Sequence, residues 1–123
     1  MIPYARLNRL TAVGLPPTVT ALGAAGSTAT VTELTGSDLA FFCRVTPDGA
    51  GIASGSFLSV TFATPRVSAN YLVFVTPHSS AARAHTGKVG PTARTGTGFQ
   101  LATGTALGAL QAYQFGVLVV DLP

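Results

Sequence analysis

The residues best suited to chemistry in this chain are two histidines, His78 and His85, and a single cysteine, Cys43. A hydrolytic triad needs an acid to orient its histidine, but no Asp or Glu lies between Asp48 and Asp121. Two histidines without a nearby cysteine or carboxylate also make an incomplete set of metal ligands. We therefore expect both histidines to be solvated loop residues or to lie in a subunit contact.

Other catalytic patterns also fail. Cys43 lies in an apolar run, where a buried and inert thiol is expected. Lys88 follows a glycine, but Ala82 and Val89 break the spacing of a phosphate-binding loop. The acids are too scattered to supply a pair of catalytic carboxylates. We therefore expect a protein that is not an enzyme and that uses no metal or other cofactor.

Charge is scarce in this chain of 123 residues. Charged residues make up 9% of it, whereas about 25% is typical of soluble domains. The chain is expected to fold, because disorder requires low hydrophobicity and high charge, and here hydrophobic residues make up 47%. Large exposed apolar surfaces are rare on monomers, so the deficit of charge favours an oligomer or a larger assembly. The alternative is a monomer with a surface of Ser, Thr and Gly.

The positive charge is local. The net charge is +3, and the stretch from Gly49 to Val120 contains no acid. Such a field can meet nucleic acid, an acidic glycan or an acidic protein. Nucleic-acid-binding domains usually cluster more Lys and Arg along one face, so we expect no nucleic-acid partner. We predict contact with an acidic protein surface through the four cations of this stretch, Arg66, Arg83, Lys88 and Arg94.

A period of two dominates the apolar pattern and predicts short β-strands near residues 19–22, 28–34, 39–45, 57–62, 70–75, 99–103 and 112–120. Turn residues recur between them about every 8–12 positions. This spacing predicts an all-β fold, an antiparallel β-sandwich with a jelly-roll-like arrangement of about seven or eight strands. We expect the aromatic residues of these strands to form the core: Phe57, Phe62, Tyr71, Phe74 and Phe115.

Two segments depart from the strand pattern. Residues 77–97 are predicted to form a long exposed loop, with one helical turn at most near residues 79–84. Residues 1–17 contain three prolines and are predicted to form an extended N-terminal arm on a β-sandwich domain of residues 18–123. Such an arm can add a strand to a partner's sheet edge. Its predicted partner-binding residues are Tyr4, Arg6, Leu7, Arg9 and Leu10.

No membrane or export segment is expected. No run approaches the roughly 18 apolar residues of a membrane-spanning helix. Pro16 and Pro17 interrupt the position where the apolar part of a signal peptide would lie. The single cysteine excludes an intrachain disulfide and suits synthesis in a reducing cytoplasm.

Several strand and turn residues resemble those of small β-domains in tailed-bacteriophage virion proteins. The motif is carried by Leu58-Ser59-Val60-Thr61-Phe62-Ala63-Thr64-Pro65, followed by Val73-Phe74-Val75-Thr76-Pro77 and Ala81-Ala82. It continues with Gly98-Phe99-Gln100-Leu101 and closes with Tyr113-Gln114-Phe115-Gly116-Val117-Leu118-Val119. The resemblance as a whole covers about residues 28–120.

This resemblance implies a trimeric virion protein, because such domains occur as capsid decoration proteins and as tail-fibre tips. An arm without a Gly-rich shaft favours a decoration (cement) protein. The implied partners are two copies of the same chain and the major capsid protein, and the implied location is the outer capsid surface, after synthesis in the host cytoplasm. The alternative is a tail-fibre or spike tip that binds a host receptor or glycan.

Overall fold

Alternating side chains place one face of most strands in a shared core. The computed structural model describes residues 14–123 and confirms the all-β sandwich. It contains eight strands: β1 (Thr18–Ala21), β2 (Thr30–Gly36), β3 (Ala40–Thr46), β4 (Gly55–Thr61), β5 (Tyr71–Pro77), β6 (Val89–Thr95), β7 (Gly98–Thr103) and β8 (Tyr113–Asp121). A 3-10 turn spans Gly23–Ala25, and one short helix, α1, spans Ser80–Arg83.

The strands form two four-stranded antiparallel sheets. The first has the order β1-β4-β7-β6 and the second the order β2-β3-β8-β5. Within the described residues, β2–β3 and β6–β7 are the hairpins between consecutive strands, and every other connection passes from one sheet to the other. None of the helices in residues 14–123 has the length and apolar character needed to cross a membrane.

Aromatic side chains fill the space between the sheets. The ring of Tyr71 lies 5.5 Å from that of Phe62 and 6.3 Å from that of Phe99. Phe115 lies 5.9 Å from Phe57, so the predicted core is confirmed at four of its five positions. The prediction is wrong for Phe74, which is 51% exposed. Along β5 the inward positions alternate from Tyr71, so Phe74 points to the outer face.

The prediction of a long loop over residues 77–97 is wrong, because this segment contains β6. Five of the seven residues of β6 are exposed, so the strand has no buried face and no apolar alternation in its sequence. Pro91 lacks a backbone donor, and it is tolerated because β6 is an edge strand. The predicted helical turn is confirmed as α1, where Ser79 Oγ accepts a hydrogen bond from Ala82 N at 3.1 Å.

Candidate functional site

The outer face of the sheet β2-β3-β8-β5 is apolar. Leu72 and Phe74 project from β5, and the register sets them beside Val120 and Leu118 of β8. All four side chains are exposed, Phe74 at 51% and the others at 39–42%. Ala40 of β3 lies on the other side of Leu118 and extends the surface. We call this surface, formed by Ala40, Phe42, Leu72, Phe74, Leu118 and Val120, the apolar face.

The outer face of the other sheet is polar. One row of paired residues crosses all four strands of the sheet, and it consists of Thr20, Ser59, Gln100 and Thr92. Water solvates such a face without a penalty, whereas exposed apolar surface is unfavourable in water. The two outer faces of the same sandwich therefore differ in polarity, and contact with an apolar surface would be favourable only at the apolar face.

A shallow depression of about 320 Å³ interrupts the apolar face at Gly116. A Cβ atom at Gly116 would lie 2.7 Å from Nε2 of His78, so the missing side chain leaves room for the imidazole. His78 meets Phe42 edge to face, with ring centroids 5.7 Å apart. Thr35 and Thr76 complete the polar part of the wall. The depression can receive one apolar or aromatic side chain from a partner.

Charged residues border the apolar face and are compensated within the chain. At one end, Arg44 Nη1 lies 3.3 Å from Glu33 Oε1, and Gln114 Nε2 donates to the other carboxylate oxygen of Glu33. At the opposite end, Arg66 Nε lies 2.7 Å from Asp121 Oδ1. The side chains of Glu33 and Asp121 are still 46% and 57% exposed. Glu33 therefore offers an accessible carboxylate at one end of the face, whereas Asp121 lies opposite Tyr71 on the inward side of β8.

Two of the predicted partner-binding cations, Arg66 and Arg94, lie around Tyr71. Arg66 has a side chain only 10% exposed, and its guanidinium carbon lies 4.1 Å from the ring centroid of Phe62. Arg94 donates a hydrogen bond to the backbone carbonyl of Tyr71. Through these contacts, Arg66 holds the segment before β5, and Arg94 holds β6, against the start of β5.

The other two cations, Arg83 and Lys88, lie toward the opposite end of β5. Both are exposed, and neither forms an ion pair with an acid of residues 14–123. Strand β5 has seven residues, so the two pairs are separated by about 20 Å along the strand. The structure therefore divides the four predicted cations into two pairs, and the Arg83–Lys88 pair is the one in which both side chains are exposed and both lack an acidic partner among residues 14–123.

The expectation for the histidines is wrong at His85. This residue is only 8% exposed, and its ring meets Tyr113 edge to face at 5.4 Å. Its Nδ1 is buried and has no hydrogen-bond partner in the described part of the chain. Burial lowers the pKa of His85, and the charge of Lys88 adds to this effect. Its environment therefore favours the neutral imidazole.

The remaining candidate nucleophile, Cys43, and the acids Asp38 and Asp48 have surroundings that indicate a role in the fold and not in catalysis. Burial raises the pKa of Cys43 to about 11, as expected for an inert thiol. Asp38 accepts hydrogen bonds at 2.8 Å from the backbone nitrogens of Ala63 and Thr64. Hydrogen bonds from Thr28 and Gly49 lower the pKa of Asp48. Among residues 14–123, no three His, Cys, Asp or Glu side chains converge as metal ligands would.

Sequence reasoning missed the apolar face, although the sequence carried a signal for it. Leu72-Val73-Phe74-Val75 and Val117-Leu118-Val119-Val120 are unbroken apolar runs. Unbroken runs are typical of strands with apolar neighbours on both faces, whereas alternation is typical of strands with one wet face. Two adjacent strands with such runs indicate that this sheet is apolar on its outer side as well as on its inner side.

Five predicted partner-binding residues lie outside the described part of the chain: Tyr4, Arg6, Leu7, Arg9 and Leu10. Of the rest of the predicted arm, Leu15 is 73% exposed and Pro17 is buried. Family models, curated proteins and solved structures offer no match to this chain.

Proposed function

We propose that this protein is a capsid decoration (cement) protein of a tailed bacteriophage that binds the outer capsid surface as a trimer and stabilises the shell. The observation that carries the proposal is the contrast between the apolar face and the polar outer face of the other sheet. A contiguous apolar surface on a charge-poor domain is typical of a subunit contact. A protein built to contact other proteins on one side and water on the other suits a coat of this kind.

The bacteriophage assignment is supported by the residues that resemble virion β-domains. They fall on β4, β5, β7 and β8 and on the turns that follow β4 and β5. They therefore form the framework of the sandwich, including the two strands that carry most of the apolar face. The resemblance and the surface contrast support an architectural role by independent routes.

A decoration protein stabilises a shell by mass action, because it binds the assembled form in preference to free capsid subunits. Arg83 and Lys88 are suited to the shell contact, since their charges have no acidic partner among residues 14–123. Charge pairs at the rim of an interface mainly set the rate and specificity of association. We assign the apolar face to contacts between copies of this chain and the Arg83–Lys88 pair to the contact with the major capsid protein.

One observation favours the second candidate, a tail-fibre or spike tip. The depression at Gly116 has an aromatic wall made by Phe42 and His78, and such walls suit sugar rings as well as side chains. A tip would use this depression for a receptor or glycan. It would also be present in far fewer copies than a decoration protein.

Copy number in purified particles separates the two candidates. We expect gel densitometry against the major capsid protein to give hundreds of copies per virion. A few copies, or about a dozen, would contradict decoration and favour the tip.

A binding assay tests the stabilising role directly. Shells stripped of this protein are incubated with the full chain, sedimented and then heated. We expect the chain to sediment with the shells and to raise the temperature at which they release their contents. Shells that neither bind the chain nor gain heat resistance would contradict the proposed function.

A further inference from the structure

The described chain begins beside the apolar face. A Cβ atom at Gly14 would lie 3.8 Å from the Cβ of Ser37, in the turn between β2 and β3. Gly14 and Leu15 share a depression of about 280 Å³ with Leu39 and Asp121. Val119 N donates to the carbonyl of Leu39, so this point adjoins the end of β8 where the apolar face starts. Residues 1–13 therefore connect to the domain at the rim of that face.

The sequence of residues 1–13 matches an apolar surface better than a sheet edge. Its apolar residues Tyr4, Leu7, Leu10 and Val13 are three positions apart, whereas a strand with one buried face needs a spacing of two. In a polyproline II conformation, which has three residues per turn, this spacing sets the four side chains along one side. In that conformation, thirteen residues at about 3.1 Å each would span about 40 Å, longer than the roughly 23 Å of a seven-residue strand.

Charge also matches this segment to the apolar face. Residues 1–13 contain Arg6 and Arg9 and no acid. The accessible carboxylate of Glu33 stands at the end of the face marked by Gln114, whereas Asp121 lies opposite Tyr71 on the inward side of β8, at the other end of the sandwich. A basic segment with an apolar side can therefore meet the apolar side chains of the face and the carboxylate of Glu33 at its end.

A second copy stacked face to face fits less well. The apolar part of the sheet covers three strands of about seven residues, an area of about 300 Å². Stable interfaces bury about 800 Å² on each partner. A flat contact between two such faces is therefore too small, whereas a segment that leaves one subunit and crosses the next adds its own surface to the contact.

We propose that residues 1–13 of one copy lie on the apolar face of a neighbouring copy, with apolar side chains against Phe74 and Leu118 and in the depression at Gly116. The inference rests on the proposed trimer and names the contact that forms it. The contact is heterologous, since the segment and the face are different surfaces, and a heterologous contact that closes gives a ring. Three such contacts close a trimer.

Engineered disulfides in the full chain test which surface the segment touches. The double variant Leu7→Cys with Leu118→Cys places one thiol in the segment and one on the apolar face. The matched control, Leu7→Cys with Thr61→Cys, places the second thiol on an exposed position of β4 in the polar sheet. Native Cys43 is buried and does not compete.

After mild oxidation, we expect the first variant to give covalent dimers and trimers on a non-reducing gel and the control to stay monomeric. A link within one chain, seen as a monomer of altered mobility, would overturn the exchange between copies. Equal linking in both variants, or no linking in either, would overturn the assignment of the apolar face.

A second pair of full-chain variants measures the contribution of the segment to the oligomer. Leu7→Ser with Leu10→Ser removes two apolar side chains, and Asn8→Ser with Thr11→Ser changes the same segment without removing any. We expect the first pair to weaken trimerisation at least tenfold by light scattering and the control to leave it unchanged. Trimers of unchanged affinity in the first pair would overturn the inference.

These results separate the inference from the proposed function. A chain that coats stripped shells but trimerises normally with Leu7→Ser and Leu10→Ser keeps the function and contradicts the segment exchange. A chain that forms the Leu7–Leu118 link but never sediments with shells keeps the exchange and contradicts the function.

Discussion

At the scale of single residues, His85 is a buried polar group with an uncompensated ring nitrogen. Its ring is enclosed against Tyr113, and Nδ1 has no partner among the described residues. Protonation would bury a charge beside Lys88, a change that a low-dielectric site opposes. The neutral imidazole is therefore part of the folded state.

His85 makes the stability of the protein dependent on pH. Because its pKa is lowered on folding, its contribution is present above the unfolded pKa of about 6.5 and is lost as pH falls toward the folded pKa. We expect the unfolding free energy of the wild-type chain to fall relative to that of His85→Phe between about pH 7 and pH 5. One proton limits this slope to about 1.4 kcal/mol per pH unit.

Urea denaturation of both chains at several pH values measures the difference. The Phe variant keeps an aromatic ring against Tyr113, so the comparison isolates the titration from the loss of packed volume. If the unfolding free energies of the two chains change with pH in parallel, His85 binds as many protons in the folded state as in the unfolded state, and the prediction is contradicted.

At the scale of elements, the β6–β7 hairpin is held by a close approach between backbones. Gly98 begins β7 opposite Thr61, and a Cβ atom there would lie 2.0 Å from the backbone oxygen of Val60. The hydroxyl of Tyr71 lies 2.8 Å from the carbonyl oxygens of both Thr95 and Gly98. Since the obstructing atom belongs to the backbone of a central strand, it has little freedom to move.

We therefore expect Gly98→Ala to destabilise the fold by about 2–4 kcal/mol, because added volume in a filled site forces the backbone to shift. Gly90→Ala is the matched control, since a Cβ atom at Gly90 on the neighbouring strand β6 meets no atom within 4 Å. We expect the control to change the unfolding free energy by less than about 1 kcal/mol. Thermal denaturation of the two variants gives the comparison, and equal losses would contradict the close approach as the cause.

Elements with one buried face were predictable from sequence, and the others were not. Strand β3 alternates strictly in burial, and β7 buries Phe99 and Leu101 at every second position, as their sequences show. Strand β4 departs from alternation at a bulge, where Phe57 and Leu58 are both buried. Strand β6 has no buried face, so nothing in its sequence separates it from a loop. Strand β5 is apolar on both faces, which is why Phe74 was assigned to the core.

The candidate site was predictable only in part, because its groups come together through topology. The four predicted cations lie in one stretch of the sequence: Arg66, Arg83, Lys88 and Arg94. Within this stretch the chain runs along β5 and back along β6, and this path separates the cations into two pairs. Arg66 meets Asp121, which is 55 positions away. Pairing over such distances depends on which strands become neighbours, and a local pattern of residue types does not carry that information.

At the scale of the whole molecule, three surfaces have different characters. The apolar face lacks charge in its middle, the opposite outer face is built from Thr, Ser and Gln, and the end near α1 carries Arg83 and Lys88. We expect these surfaces to serve different contacts, so a change at one should leave the others intact. This separation makes the proposed shell contact testable without disturbing the fold.

Reversing the charge of each cation pair tests the proposed contact of Arg83 and Lys88 with the shell. Arg83→Glu with Lys88→Glu and Arg66→Glu with Arg94→Glu both lower the formal net charge from +3 to −1, so the total charge is matched. We expect the first variant to change the unfolding free energy by no more than about 0.5 kcal/mol, because both side chains are exposed. Its sedimentation with stripped shells should weaken at least tenfold. Binding of the wild-type chain to the same shells should fall as salt is raised, because exposed charges are screened.

The second variant should behave in the opposite way. Arg66→Glu sets a carboxylate beside Asp121 and removes the guanidinium from the ring of Phe62, so we expect a loss of about 2 kcal/mol or more in unfolding free energy. Shell binding per folded molecule should then fall less than in the first variant. If Arg83→Glu with Lys88→Glu coats shells as well as the wild-type chain does, the end of the sandwich near α1 is not the surface that meets the capsid.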